Sequence, residues 1–162
     1  VKPVGEIELV PLSVDDAPAL FAFEVKNRAW FEGWVGPRPD SYWELSSLEK
    51  IVQNQVDAGE WMYLVKSDGR ILGRLNLTDE GNGVAQLGYR IGQDHVGRGV
   101  ASKAVIQMVG KAPSLGLWAL EARVLAGNDA SYRVLEKTRF RITDERTLDG
   151  RALMIFRRDL DM

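Results

Sequence analysis

The segment Val96-Gly97-Arg98-Gly99-Val100-Ala101 sets two glycines around an arginine, just before a long stretch of helical apolar periodicity. Glycines there let the backbone fold closely around a ligand. The first N–H groups of a helix have no partner inside the helix. Together with the helix dipole they make a site for phosphate oxygens, to which Arg98 would add a charge-assisted contact. The same glycines would also serve a plain turn that merely reverses the chain. Two other phosphate loops can be weighed against this one. The pattern Gly-x-x-x-x-Gly-Lys-Ser/Thr is absent. A dinucleotide fingerprint fits Gly97-x-Gly99-x-x-Ser102 imperfectly, with Glu121 about 20 residues on as a ribose ligand. That fingerprint should open a βαβ unit, whereas here it follows an antiparallel meander.

Other chemistries are removed by composition. The 162 residues contain no cysteine and one histidine, His95. Thiolate metal sites, disulfides, a cysteine nucleophile and a multi-histidine metal centre are therefore excluded, and no metal is expected. A Ser-His-Asp triad could recruit only His95, and no Gly-x-Ser-x-Gly elbow presents a serine to it. His95 itself reads as a loop residue with no proton-transfer role. The net charge of −2 and the lack of a long basic run give no footprint for nucleic acid. No apolar run approaches the roughly 20 residues that span a bilayer, and the opening residues carry no apolar signal region. A cytoplasmic protein with no membrane partner is expected.

The elements that must position the loop follow from periodicity. With 45% hydrophobic and 27% charged residues, the composition is that of an ordinary globular chain, and its length suits one domain over 1–162. Residues 6–12 read as a short strand. Ser13, with Asp16 three residues on, caps a helix whose apolar stripe is Ala17, Leu20, Phe21 and Val25. An aromatic loop with Trp30, Phe31, Trp34, Pro37 and Pro39 follows. Ser41 to Glu44 matches a capping box opening a second helix, with Leu45, Leu48, Val52 and Val56 buried and Gly59 at its end. Strands are expected at 61–66, 70–78 and 84–92, the first two joined by Ser67-Asp68-Gly69 and the last two by Gly81-Asn82-Gly83. After the glycine loop come a helix, a strand over 119–126, a helix over 128–138 and a hairpin around Asp149-Gly150. The order β-α-α-β-β-β-α-β-α-β-β describes a mixed α/β (α+β) domain.

Two motifs in this order resemble those of the GNAT N-acetyltransferases. The first is the superfamily's pyrophosphate loop, Gln/Arg-x-x-Gly-x-Gly/Ala, matched by Val96-Gly97-Arg98-Gly99-Val100-Ala101. The preceding Leu87-Gly88-Tyr89-Arg90-Ile91 is similar to the fourth strand of the RimJ/RimL-like (ribosomal-protein alanine N-acetyltransferase) branch. The second is Asn128-Asp-Ala-Ser131-x-x-Val134-Leu135-Glu136-Lys137-x-x-Phe140, which is similar to that branch's Asn-x-x-Ser-x-x-Val-x-x-Lys-x-Gly-Phe helix. The resemblance covers nearly the whole chain and departs from the pattern at Val96, in place of Gln or Arg, and at Arg139, where a glycine usually precedes Phe140.

The resemblance implies a splayed, mostly antiparallel central sheet flanked by helices, with acetyl-CoA where the fourth and fifth strands part. Its pyrophosphate would lie on the N–H groups of 98–101, and its pantetheine arm would pair along Leu87, Tyr89 and Ile91 like an added strand. Asn128 would hydrogen-bond that arm, and Ser131 would donate to the departing thiolate. Arg133 and Lys137 would reach the cofactor phosphates or lie on solvated surface.

Acetyl transfer to an amine needs three things: loss of the amine proton, a polarised thioester oxygen and a proton donor for the thiolate. A backbone N–H near Tyr89 or Arg90 could polarise the carbonyl. Ser131 could protonate the sulfur, or it could be a helix-start serine bonding local backbone. Tyr132 is a further acid, or a packing residue beside it. Glu80, Asp79 and Glu32 are the carboxylates open to a base role through water, or plain solvated charges. Trp30, Phe31 and Trp34 could wall an acceptor pocket or cap the core. The acceptor would be a protein N-terminal α-amine or a small-molecule amine, and the edge strands of such a fold could support a homodimer. A non-catalytic acyl-CoA-binding or regulatory protein on the same fold is the alternative.

Overall fold

Local chemistry settles most element ends. The Ser13 N–H donates to Asp16 Oδ2 at 2.9 Å, the reciprocal half of a capping box. It fixes the single turn Val14–Asp16 from which α1 (Ala17–Lys26) continues. Three hairpins turn on the same device, a residue followed by glycine with both φ angles positive: Asp68-Gly69, Asn82-Gly83 and Asp149-Gly150. Paired positive φ values give the turn the twist that antiparallel strands need. The strands so joined are β2 (Trp61–Ser67) to β3 (Arg70–Gly81), β3 to β4 (Val84–Ile91), and β6 (Arg141–Leu148) to β7 (Arg151–Asp159).

The computed structural model describes residues 5–35 and 37–160. Among these residues five α-helices and seven strands are formed, and the strands hydrogen-bond in the order β1-β2-β3-β4-β5-β7-β6, where β1 is Glu8–Pro11 and β5 is Ala119–Leu125. This mixed α/β, mostly antiparallel arrangement is the one the resemblance implies. The chain divides into two compact units, Val1–Asn76 with Tyr89–Val100, and Leu77–Gly88 with Ala101–Met162. In the first, β1 pairs antiparallel with β2 from Glu8↔Lys66 to Pro11↔Tyr63. Here α1, α2 (Arg28–Val35) and α3 (Leu45–Asp57) supply a core in which Leu20, Phe23, Phe31, Leu48 and Val52 pack with Leu12 and Leu64. In the second, β5 pairs antiparallel with β7, and β6 lies outside β7, its register shifted between Ile142 and Asp144. Every residue of β6 is exposed. Among the described residues no helix is long and apolar enough to cross a membrane.

Three expectations are corrected. The aromatic segment is a helix, α2, and not a loop. Helix α1 buries Ala17, Leu20, Phe23 and Glu24, while Val25 is 48% exposed. Residues seven apart differ by only about 20° around a helix, so Glu24 lies almost beneath Ala17 and Val25 is carried off the buried face. Ser41 does not open α3. Residues 40–43 form one 3₁₀ turn, and the extended Glu44, φ −122 and ψ 135, is the N-cap. Its carbonyl accepts from the Ser47 and Leu48 N–H groups. The shift leaves Leu45 and Val56 exposed, with Leu48 and Val52 as the buried stripe.

Candidate active site

The glycine loop has the backbone that a phosphate cradle requires. Gly97 and Gly99 take φ of +77 and +79, and no atom lies within 4 Å of where a Cβ would project from either. Left-handed glycines alternating with an ordinary residue turn successive N–H groups toward one concavity, and α4 (Val100–Lys111) starts immediately after. Val100 and Ser102 are buried and anchor the helix start, whereas Val96 is exposed and Ala101 half-buried. Arg98 Nη1 lies 3.3 Å from His95 Nδ1. Burial, then the Arg98 charge, hold the imidazole below its ordinary pKa, so it is neutral near pH 7. In the tautomer protonated at Nε2, its Nδ1 accepts from the guanidinium. His95 thus helps orient Arg98. Open space at both glycines and an oriented guanidinium suit a phosphate-bearing ligand.

Strand β4 pairs parallel with β5 only from Val84↔Ala119 to Gln86↔Glu121, although it runs on to Ile91. The five residues beyond that register are the Leu87–Ile91 run. Leu87 is buried, while Tyr89 and Ile91 are half-buried. The Ile91 carbonyl accepts from Trp30 Nε1 at 3.2 Å. This bond brings one of the sequence-selected aromatics onto β4. Phe31 is 5% exposed and packs at 5.8 Å from Phe23 in the core. The side chain of Trp34 lies outside the described residues.

In the second unit, Asn128 caps α5 (Asp129–Lys137), its Oδ1 accepting from the Ser131 N–H at 3.3 Å. The cap leaves the Asn128 amide NH₂ for another partner. Tyr132 stands edge-on to the buried Phe156, ring centroids 5.1 Å apart. Arg133 and Lys137 are exposed. The helix closes with Arg139 at φ +68, its N–H donating to the Glu136 carbonyl while the Phe140 N–H donates to that of Leu135. This is the Schellman pattern that normally takes glycine. Arg139 occupies the glycine position of the family motif without altering the backbone.

The three loop carboxylates are placed differently. Glu32 pairs with Arg28 at 3.0 Å, and Asp79 Oδ1 accepts from the Gly81 N–H at 2.7 Å. Glu80 is exposed near the end of β3. Among the described residues no group of three or more His, Asp or Glu side chains could hold a metal ion.

One cluster escaped the sequence reading. Glu24, 1% exposed, faces Arg74 Nη1 at 3.3 Å and Arg90 Nη1 at 3.7 Å. The Arg90 guanidinium also lies 5.1 Å from the Phe31 ring centroid, and that of Arg38 lies 4.2 Å from the Tyr42 ring. The hydroxyl of Tyr42 is buried and has no hydrogen-bond partner among the described residues. The available signal was Glu24 itself, a charge seven residues from Ala17 on a helix with a buried face.

The acetyltransferase (GNAT) domain profile matches residues 6–141. A probable N-acetyltransferase, YjcK of Bacillus subtilis, is 31% identical over 140 residues, 80% of this chain and 77% of its own. Among solved structures, the fold resembles RimL, a ribosomal L7/L12 alpha-N-protein acetyltransferase in complex with coenzyme A, with a TM-score of 0.82 and 23% identity. The match covers 98% of this chain and 97% of that one. The ribosomal-protein-S5-alanine acetyltransferase from Vibrio fischeri has a TM-score of 0.87 at 16% identity, covering 99% and 97% of the two chains. With the family profile over most of its length and a relative 31% identical over 80% of it, the chain belongs to the GNAT acetyltransferases and is an acetyl-CoA-dependent N-acetyltransferase.

Proposed function

We propose that this enzyme acetylates a primary amine, foremost a protein N-terminal α-amine, with acetyl-CoA held at the 96–101 loop. The observation that carries the cofactor part is the pair of left-handed glycines flanking Arg98 directly before α4. Backbone N–H groups and the helix dipole there favour a pyrophosphate, and the stretch of β4 beyond its register with β5 suits an extended arm laid along it. The acceptor class rests on the names of two solved structures with this fold, which are ribosomal-protein acetyltransferases.

In the reaction the neutral amine nitrogen attacks the thioester carbonyl carbon, the C–S bond breaks, and the sulfur leaves with its electron pair. A backbone N–H near Tyr89 or Arg90 stabilises the developing oxyanion. Ser131 gives a proton to the thiolate, with Tyr132 as the second donor to test. The acceptor's ammonium proton passes through water to a carboxylate. Glu32 is engaged by Arg28 and Asp79 by the Gly81 amide, so Glu80 is the base of choice. Asn128 and Lys137 complete the cofactor contacts in this reading.

Two measurements test it. Acetyl-CoA and CoA at millimolar excess should raise the melting temperature while NAD and ATP do not, because a ligand of the folded state alone must stabilise it. Ser131→Ala should lower turnover, followed as thiol release, by about 100-fold and leave the CoA-induced shift intact. A shift without turnover on any amine would favour the non-catalytic acyl-CoA-binding alternative.

A further inference from the structure

The cluster around Glu24 holds more positive charge than its own carboxylate balances. Glu24 meets the guanidiniums of Arg74 and Arg90, and Arg38 is close enough to act on Tyr42 together with all three. Two cations thus share one anion, with Arg38 beside them at the Tyr42 ring, in a region where Arg74 and Arg90 side chains are only 13% and 27% exposed. Burial lowers the Arg90 pKa, and the charges of Arg38 and Arg74 add to that effect while Glu24 opposes it. Burial raises the pKa of Tyr42, with Glu24 adding to it, so the phenol keeps its proton as a donor. That donor has no partner among the described residues, and a buried donor left unmade is expensive.

We propose that Arg38, Arg74, Arg90 and Tyr42 form an acceptor subsite for a carboxylate, so that the preferred amine carries a carboxylate a few bonds from its nitrogen. This rests on the acetyltransferase reading above, in which the backbone near Arg90 serves the thioester carbonyl. A side chain from that same stretch of β4 reaching the anion sets the carboxylate close to the reacting amine. Guanidinium forks suit a planar carboxylate through paired N–H donors, and the Tyr42 hydroxyl supplies a further donor. Glu24 holds the two sheet arginines in place and is a positioning residue. Two sources offer the same chemistry: the α-carboxylate of a free amino acid, and an acidic side chain next to a peptide's N-terminus.

The experiment compares acceptors in pairs by thiol release from acetyl-CoA: alanine against alaninamide, and the amidated tetrapeptide Ala-Asp-Gly-Gly against Ala-Asn-Gly-Gly. The carboxylate member of one pair should have a kcat/KM about tenfold higher, a difference one charged hydrogen bond can supply. The pair that responds identifies the source. Tyr42→Phe removes only the hydroxyl and Arg38→Gln only a half-exposed charge, so both variants should fold. Each should raise KM for the carboxylate acceptor about fivefold or more, with kcat changed less and the acetyl-CoA-induced rise in melting temperature unchanged. Equal rates within both pairs, or a preference that survives both substitutions, overturns the proposal. So does an absence of turnover on all four acceptors by a protein that acetyl-CoA still stabilises. Loss of that stabilisation instead brings down the acetyltransferase reading, and the subsite with it.

Discussion

Glu24 and Arg157 stand at the centres of two ion clusters of opposite composition. In the first unit one carboxylate, 1% exposed, is shared by Arg74 and Arg90. In the second, one guanidinium is shared by two carboxylates, Glu121 at 3.3 Å and Asp159 at 3.1 Å, and it lies 4.8 Å from the Trp118 ring. The Asp159 side chain is 57% exposed. Water can serve any member of the second cluster that loses a partner, and salt screens it. In the first, desolvated charges depend on each other, and removing one strands the rest. The contrast separates an ion cluster that merely decorates a strand pair from one that holds an unbalanced charge in place for use.

The largest consequence is expected at Glu24. Glu24→Ala should lower the unfolding free energy by about 3 kcal/mol, measured by urea denaturation at low salt. A loss no greater than that of an exposed pair would erase the distinction between the clusters. Glu121→Ala, by contrast, should cost about 0.5 kcal/mol or less. That small cost should disappear in 1 M salt, where screening acts within about 3 Å, while the Glu24→Ala deficit should largely persist. A deficit at Glu24 that salt abolishes would mean that water already reaches the cluster.

The smallest effect involves an arginine valued for neither charge nor contact. Arg139 makes no ion pair among the described residues and holds φ +68. A left-handed side chain costs about 1–2 kcal/mol, and glycine returns part of that gain through its freer unfolded chain. Arg139→Gly should therefore raise stability by about 0.5 kcal/mol, read as a higher urea midpoint with an unchanged slope.

Legibility from sequence followed the range of the interaction involved. The Gly97–Gly99 loop, the three residue-glycine turns and the helix starting near Asn128 are all set by neighbours within a few positions, and each was readable. Helix α2 was not. Prolines at 37 and 39 and three aromatics suggested a connector, but the prolines lie beyond the helix, and Phe31 finds a core built by α1 and α3. The capping box at Ser41 failed for the same kind of reason, because Tyr42 packs against that core and helical geometry begins only after Glu44. For the site, the glycine loop before α4 and the strand Leu87–Ile91 could be read from glycine spacing and alternation. The Glu24 cluster could not, since Arg74 and Arg90 are 16 residues apart and meet Glu24 only through tertiary packing. Its one local trace, a glutamate beneath Ala17 on α1, competed with Val25 for the same face.

Strand β6, described above only as the outermost member of its sheet, bears on how the protein behaves in a concentrated solution. A sheet's last strand offers unpaired backbone groups to any other chain that can align with it. Here that strand is interrupted by the register shift between Ile142 and Asp144 and carries Arg141, Asp144, Glu145 and Arg146 along eight exposed residues. A copy laid against it would need to match a kinked backbone and bring its charged side chains into register. Such an edge is a poor template for edge-to-edge polymerisation, even though a full-length strand is exposed.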